Sequence, residues 1–547
     1  MSGRTTDRAR GAGAVANPSP WSVAALLIAA SVALPVALVV AHVGADSEGI
    51  WPHLVDTVLA EYVVNSALLL VGVGVGTAAV GVTTAWLVTM CSFPGRRVWT
   101  WALLLPLAMP TYLMAYTYTD LLQFSGAVQS ALRDGFGWGR GDYWFPEIRS
   151  VGGAIVTFSL VLYPYVYLLA RAAFLEQSLC VLEVGRTLGR GPWRSFLSIA
   201  LPLARPAVAA GVALAMMETL GDYGAVDHFA VNTFTTGIYR SWTALASPEA
   251  AAKLAGLMVL LVGAILAFER VARGRARYHH TTGRRRPLRP IPLRGVRGVA
   301  ATIACAVPVL LGFAVPTGVL LHLAIDRGGA ARGGELARLA GNSFFIAAAA
   351  SVVIVGIGVL VGYGRRIDRG WPLRICARLV SLGYAVPGSV IAVGVLFTLG
   401  AFDRTFGTFV GGTMVALLFA YAVRFSSLSL QTVDAGLARI HPSLDAAART
   451  LGRGPGRVMF EVHAPLLRGS VLTAALLVFV DVVKELPATM IVRPFDLETL
   501  AVSVHRYASD ERLAQSALPA LLIVAVGIGP VVLLSRAIDR SRIEDAT

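Results

Sequence analysis

Apolar residues run along this chain in about twelve stretches, each near the roughly 20 residues a helix needs to cross the hydrocarbon core. They lie near 22–43, 63–90, 98–123, 151–172, 203–226, 253–272, 299–324, 342–363, 375–400, 406–430, 468–492 and 515–536. The stretches are rich in Ala, Val, Leu and Gly and show no alternation between polar and apolar residues. Lipid requires every backbone group to be satisfied within the protein, so the choice is between helices and a closed barrel, and the missing alternation selects helices. The fold class expected is an all-α polytopic membrane protein.

Composition agrees. Of 547 residues 56% are hydrophobic and 14% charged, with a mean hydropathy of +0.68; a soluble domain carries about 25% charged residues. The net charge is +15 and only two of the basic residues are lysines, Lys253 and Lys484. Their placement speaks for topology rather than nucleic acid. Residues 270–297 hold ten arginines and no acid, whereas 44–62 hold Asp46, Glu48, Asp56 and Glu61 and no Arg or Lys. The first segment reads as a cytoplasmic loop and the second as external, which places both termini in the cytoplasm. His279–His280 in the basic loop read as a solvated pair rather than metal ligands. Cys91, Cys180, Cys305 and Cys376 are isolated, without disulfide or zinc spacing. The basic start followed by an apolar run also fits a signal peptide, but its length and its counterpart at 299–324 favour a retained span.

The chain repeats itself. Asn65–Ser66 recurs as Asn342–Ser343 and Pro110 as Pro387, both 277 residues later. Beyond an extra loop near 124–150 the offset becomes 263: RTLGRGP at 186–192 recurs identically at 449–455, Pro202 matches Pro465, and Thr236 is paired with Thr499. Six spans per half make the halves parallel, related by a pseudo-two-fold axis along the membrane normal. The expected divisions are an N-terminal tail 1–20, a first repeat 21–272, a basic linker 273–298, a second repeat 299–536 and a tail 537–547.

Two features of the repeat carry chemistry. The identical block sits between the fourth and fifth spans. Glu183 to Leu188 suit a helix, Gly189-Arg-Gly191 a turn, and Pro192 the first position of a new helix. Acids also sit inside the fifth and eleventh spans, where charge is costly and points to function. Glu218 and Asp222 coincide with Asp481 and Glu485 at the 263 offset. The four-residue spacing puts each pair on one helix face and four carboxylates around the axis, with Lys484 and Arg493 or Arg240 as neutralising partners. The arrangement reads as a gate or an oxygen-lined path for a hard cation, or equally as an ionic network joining the halves; direct coordination of a free metal is favoured less than either, and no residue is assigned as a metal ligand.

The first block, Glu183-Val-Gly185-x3-Gly189-x9-Ile199-x-Leu201-Pro202, resembles the EAA loop of ABC-type importer permeases (Glu-Ala-Ala-x3-Gly-x9-Ile-x-Leu-Pro). The second departs from it: Asp445 stands one residue early, before Ala446, Ala447 and Ala448, and the block runs through Gly452 and Pro455 to Pro465. The resemblance implies two ATPase-docking loops, 176–205 and 438–467. Glu218-Thr-Leu-Gly-Asp222-Tyr223-Gly-Ala-Val-Asp227 and Lys484-Glu-Leu-Pro487-Ala-Thr look like the two halves of iron(III) ABC importer permeases. His228 and Asn232 add nothing to that likeness. It implies a type I permease fold in a bacterial inner membrane. It further implies two copies of a separate ATPase, which would hold the ATP and magnesium, a solute-binding protein, and a translocation path past Tyr223 and Pro487. No cofactor is expected in this chain and no nucleic-acid partner. Neither lysine follows a glycine, so the chain has no phosphate-cradling Gly-Lys-Ser/Thr loop. Permeases for thiamine, 2-aminoethylphosphonate and polyamines share the fold, so cargo is the open term. An ion-coupled carrier, a channel or a scaffold are the other classes; a carrier does not need a duplicated docking loop. An enzyme is the least favoured, because no nucleophile–base constellation is present.

Overall fold

The computed structural model describes residues 20–176, 192–273, 290–327, 333–368 and 370–544. The first half comprises α1 (Pro20–His42), α2 (Ile50–Thr57), α3 (Leu59–Met90), α4 (Arg96–Ala102), α5 (Thr111–Leu122), α6 (Ala127–Phe136), α7 (Val151–Glu176), α8 (Leu201–Gly221), α9 (Gly224–His228), α10 (Phe234–Thr243) and α11 (Pro248–Arg273). The second comprises α12 (Val296–Val309), α13 (Val315–Arg327), α14 (Gly333–Ile367), α15 (Trp371–Leu382), α16 (Gly388–Phe406), α17 (Met414–Ala438), α18 (Pro442–Thr450), α19 (Ala464–Val483), α20 (Pro487–Val492), α21 (Leu500–Ser509) and α22 (Leu513–Glu544). Among the described residues eleven helices are long and apolar enough to cross a membrane, and a twelfth span is the bent pair Arg96–Ala108 and Thr111–Phe136. The single two-stranded contact among them, Cys91–Ser92 with Ile291–Pro292, ties the end of the basic linker to the first half.

The duplication is visible element by element. α7 and α17, α8 and α19, and α9 and α20 begin 263 residues apart. Pro110 and Pro387 each stand just before a helix with extended backbone, at φ −60° and −58°. Pro202 and Pro465 lack the amide that would close the preceding turn, and in both halves that turn widens into a π-helix, Phe196–Ala200 and Met459–His463. The helix–turn–helix reading of the repeated block holds in the second copy. There α18 ends before Gly452 at φ +71° and the chain restarts at Pro455. Glu183, Gly185 and Gly189 of the first copy, His279–His280 and most of the basic linker lie outside the described residues; Pro192 opens the four-residue helix that follows the first copy.

Three expectations are corrected. The third span is not one helix: it bends by 90° at Pro110, since proline biases the preceding residue away from the helical region; nor is the ninth, expected at 375–400, which is broken between α15 and α16 ahead of Pro387, the repeat mate of Pro110. The fifth and eleventh spans do not run on to 226 and 492; α8 stops at Gly221 and α19 at Val483, and short helices α9 and α20 follow. Thr499 pairs structurally with Thr233 rather than Thr236. Thr233 and Thr499 are the N-caps of α10 and α21, and the amides after them, Phe234 N and Leu500 N, donate to Ser66 and Ser343 respectively. Asn65 and Asn342 in turn donate to the carbonyls of Asn232 and Glu498.

Each half's first span packs on the other half. α1 lies against α14, α15 and α16, with Ser22 donating to Asp368 at 3.0 Å and His42 stacked on Phe397. α12 lies against α3 and α4, and Thr302 donates to the Pro94 carbonyl at 3.1 Å. Within each half the spans touch through small residues. A Cβ on Gly81 of α3 would stand 2.9 Å from the Tyr163 carbonyl of α7, and one on its repeat mate Gly358 would meet Ser429 of α17. Gly81→Leu should therefore lower stability by about 1–3 kcal/mol, as overpacking does. Thermal unfolding in detergent checks this, and an unchanged midpoint would contradict the close approach of α3 and α7.

Candidate functional site

Where α8 and α19 stop, the amides of the following turn have lost their helical partners, and lipid offers none. The next acid in each half supplies one. Asp222 accepts from the Ala225 amide at 2.8 Å, and Glu485 accepts from the Ala488 and Thr489 amides at 2.9 and 3.0 Å. This corrects the one-face reading: Glu218 and Asp481 are on their helices, whereas Asp222 and Glu485 lie beyond the helix ends.

All four acids line one cavity of about 120 Å³ between the halves. Its walls come from the start of α5, the middles of α7 and α17, the ends of α8 and α19, and Tyr384 in the turn Gly383–Ala385. Glu218 accepts from the Tyr384 hydroxyl at 2.7 Å, a contact across the seam. Lys484 pairs with Asp481 at 3.0 Å as expected, but Arg493 bonds the Leu497 carbonyl and Arg240 bonds Asn232 instead of the acids. The second cation is Arg424, 3.2 Å from Glu485, which sequence reading passed over. Its signal was a lone arginine inside the tenth span, opposite Val161 in the repeat. Pro487 opens α20 at the cavity wall, while Tyr223 lies in the adjacent layer, its ring 4.6 Å from Tyr239 and 5.5 Å from His505. In that layer Tyr116 and His505 form a second contact across the seam, 2.6 Å between hydroxyl and Nδ1.

The halves solve the same capping problem with different side chains. Thr111 donates to Asp222. Its repeat counterpart is Gly388, where a Cβ would stand 2.0 Å from Arg424 Nη1 and 3.0 Å from Glu485 Oε1. The guanidinium occupies the space a side chain at 388 would need.

The second copy of the repeated block is braced separately. Asp445 accepts from Arg366 Nε at 2.8 Å and contacts His463 Nε2 at 2.6 Å, and Arg366 also donates to the Leu437 and Ile440 carbonyls. Burial pushes the Asp445 carboxyl up, but the hydrogen bonds from Arg366 and His463 and the Arg366 charge outweigh it, leaving it below the usual range. The brace is therefore complete above the ordinary aspartate value of about 3.9 and is lost only as pH falls through the lower folded value. It ties α18 to the ends of α14 and α17 and to the π-turn before α19. Ala447 lies on α18, and Leu201 and Pro202 open α8 as Ala464 and Pro465 open α19.

Gly388→Ala should push Arg424 off Glu485 and lower stability by about 1–3 kcal/mol, the scale for weakening a hydrogen bond to a buried charge. Adding Glu485→Gln, which needs no counter-ion, should recover part of the loss. Melting midpoints of the single and double variants test this; strictly additive losses would contradict the contact.

Comparison with known proteins follows this geometry. Over 487 residues the chain is 26% identical to the Fe(3+)-transport system permease protein FbpB 2 of Haemophilus influenzae, covering 87% of this chain and 90% of that one. It is 31% identical to the molybdenum transport system permease protein ModB of Escherichia coli over 28% of this chain and 63% of ModB. Against the sulfate transport system permease protein CysT of Escherichia coli it is 30% identical over 28% of this chain and 52% of CysT. Residues 77–273 and 354–543 each match the binding-protein-dependent transport system inner membrane component family. Two copies of that unit facing one another across a carboxylate-lined seam make the chain a member of this family, a two-repeat multi-pass membrane permease.

Proposed function

We propose that this permease carries iron(III), delivered by a solute-binding protein outside, into the cytoplasm by alternating access. The observation that carries the cargo is the seam cavity, with four carboxylates against two cations. Carboxylate and phenol oxygens suit hard cations, and the acid excess disfavours oxyanions such as those for which ModB and CysT are named. The relative named for Fe(3+) transport also aligns over nearly the whole of both chains.

In this reading both termini and the Arg-rich 270–297 segment are cytoplasmic, and the segments 176–205 and 438–467 dock two copies of a separate ATPase. Glu183, Gly185, Gly189, Pro192, Leu201 and Pro202 serve the first docking site; Asp445, Ala447, Gly452, Pro455 and Pro465 serve the second. Asp445 does so as the anchor of α18 to the spans, so force applied to α18 reaches α14 and α19 without slack. Closure of the ATPase dimer biases a two-state equilibrium of the halves. Glu218–Tyr384 and Tyr116–His505 are the contacts that must break as the seam opens.

Gly189→Arg together with Gly452→Arg should abolish co-purification of the ATPase and stop radio-iron uptake while leaving the protein in the membrane. Undiminished co-purification would overturn the docking assignment. Wild-type cells that accumulate no more radio-iron than a deletion strain would overturn the cargo.

A further inference from the structure

The two halves treat their acids differently. Lys484 and Arg424 neutralise Asp481 and Glu485 in the second half. At the offset of 263 these cations correspond to Gly221 and Val161, so the first half has no counterpart to either. Neither Glu218 nor Asp222 forms an ion pair among the described residues.

Hydrogen bonding sets Glu218 apart, since Asp222 already accepts from Thr111 and the Ala225 amide. Glu485 accepts from two amides, the Thr489 hydroxyl and Arg424, which fills the roughly four lone-pair sites of a carboxylate. Glu218 accepts from Tyr384 on one oxygen alone. Beside these acids stands a group with nothing to do. Tyr112 is 4% exposed, lines the same cavity, and its hydroxyl has no hydrogen-bond partner, whereas buried hydroxyls are as a rule bonded.

We propose that Glu218, Asp222 and the Tyr112 hydroxyl form the contact point for a hard trivalent cation in transit, while Asp481 and Glu485, held by Lys484 and Arg424, are structural braces. The proposal rests on the iron(III) reading and assigns the work to one half of the repeat. Among the described residues no three His, Cys, Asp or Glu side chains converge as metal ligands. The contact is thus an open one of mixed carboxylate and phenol oxygens. That suits an ion that must leave as well as enter.

The test uses the full-length protein in lipid nanodiscs titrated with terbium(III), a hard trivalent ion whose luminescence is sensitised by nearby tyrosine. Wild type should give saturable sensitised emission. Glu218→Gln should weaken apparent affinity by about tenfold or more, the scale seen when groups supporting a metal site are removed. Tyr112→Phe should also weaken apparent affinity, with emission still sensitised by Tyr165 and Tyr384, which line the same cavity. Asp481→Asn combined with Lys484→Gln removes the braced pair without changing the net charge and should weaken affinity less than Glu218→Gln does, although the pair lines the same cavity. Equal losses from both halves, or affinity indifferent to Glu218→Gln and Tyr112→Phe, would overturn the proposal. Radio-iron uptake by wild-type cells separates the two claims. Uptake with terbium binding indifferent to Glu218 overturns the contact site alone; no uptake overturns the iron reading beneath it.

Discussion

A helix that breaks within the protein leaves backbone amides in need of a partner, and the seam of this permease is organised around that constraint. α8 and α19 end at Gly221 and Val483 before the chain resumes as α9 and α20, and the carboxylates of Asp222 and Glu485 take up amides of the following turn. Capping explains why an acid is held at that point in each half, where charge is otherwise expensive. It also brings ionised groups to the seam, because the two breaks face one another across the pseudo-axis. The gate reading and the ionic-network reading of the four acids are therefore not rivals: all four reach the cavity, and those of the second half are also held by Arg424 and Lys484.

Repetition then departs from symmetry where function enters. Thr111 and Gly388 occupy equivalent positions, and the missing side chain at 388 makes room for Arg424. A cavity symmetric in its acids is asymmetric in its cations. At the other end, Asp445 joins α18 to three spans through Arg366 and His463. The molecule thus has a braced connection at the repeated block and a charged, hydrogen-bonded seam between the halves.

Much of this was legible in the residues. The Asn-Ser and Pro repeats aligned the halves, because the physical jobs they do are the same in each: amide capture at the start of α10 and α21, and the break before α5 and α16. The breaks inside the third, fifth, ninth and eleventh spans were not legible, since apolar residues flank each break and a hydropathy window runs across it. The three-residue slip at Thr499 arose because Thr233 and Thr236 are both threonines of one capping box, and only the bond to Ser66 tells them apart. Arg424 and Tyr384 were missed because their partners lie 61 and 166 residues away. A lone arginine within a span was the available clue.

The claim at the centre of this account is that the seam opens and closes under ATP. Thr243 and Ser509, exposed at the equivalent ends of α10 and α21, take spin labels as Thr243→Cys and Ser509→Cys after replacement of Cys91, Cys180, Cys305 and Cys376. Pulsed electron resonance then reads the distance between them in the assembled transporter. The account expects the distribution to shift between the nucleotide-free state and the ATP-bound state with loaded binding protein. A single unchanged distance in a transporter that is still hydrolysing ATP and accumulating iron would contradict it.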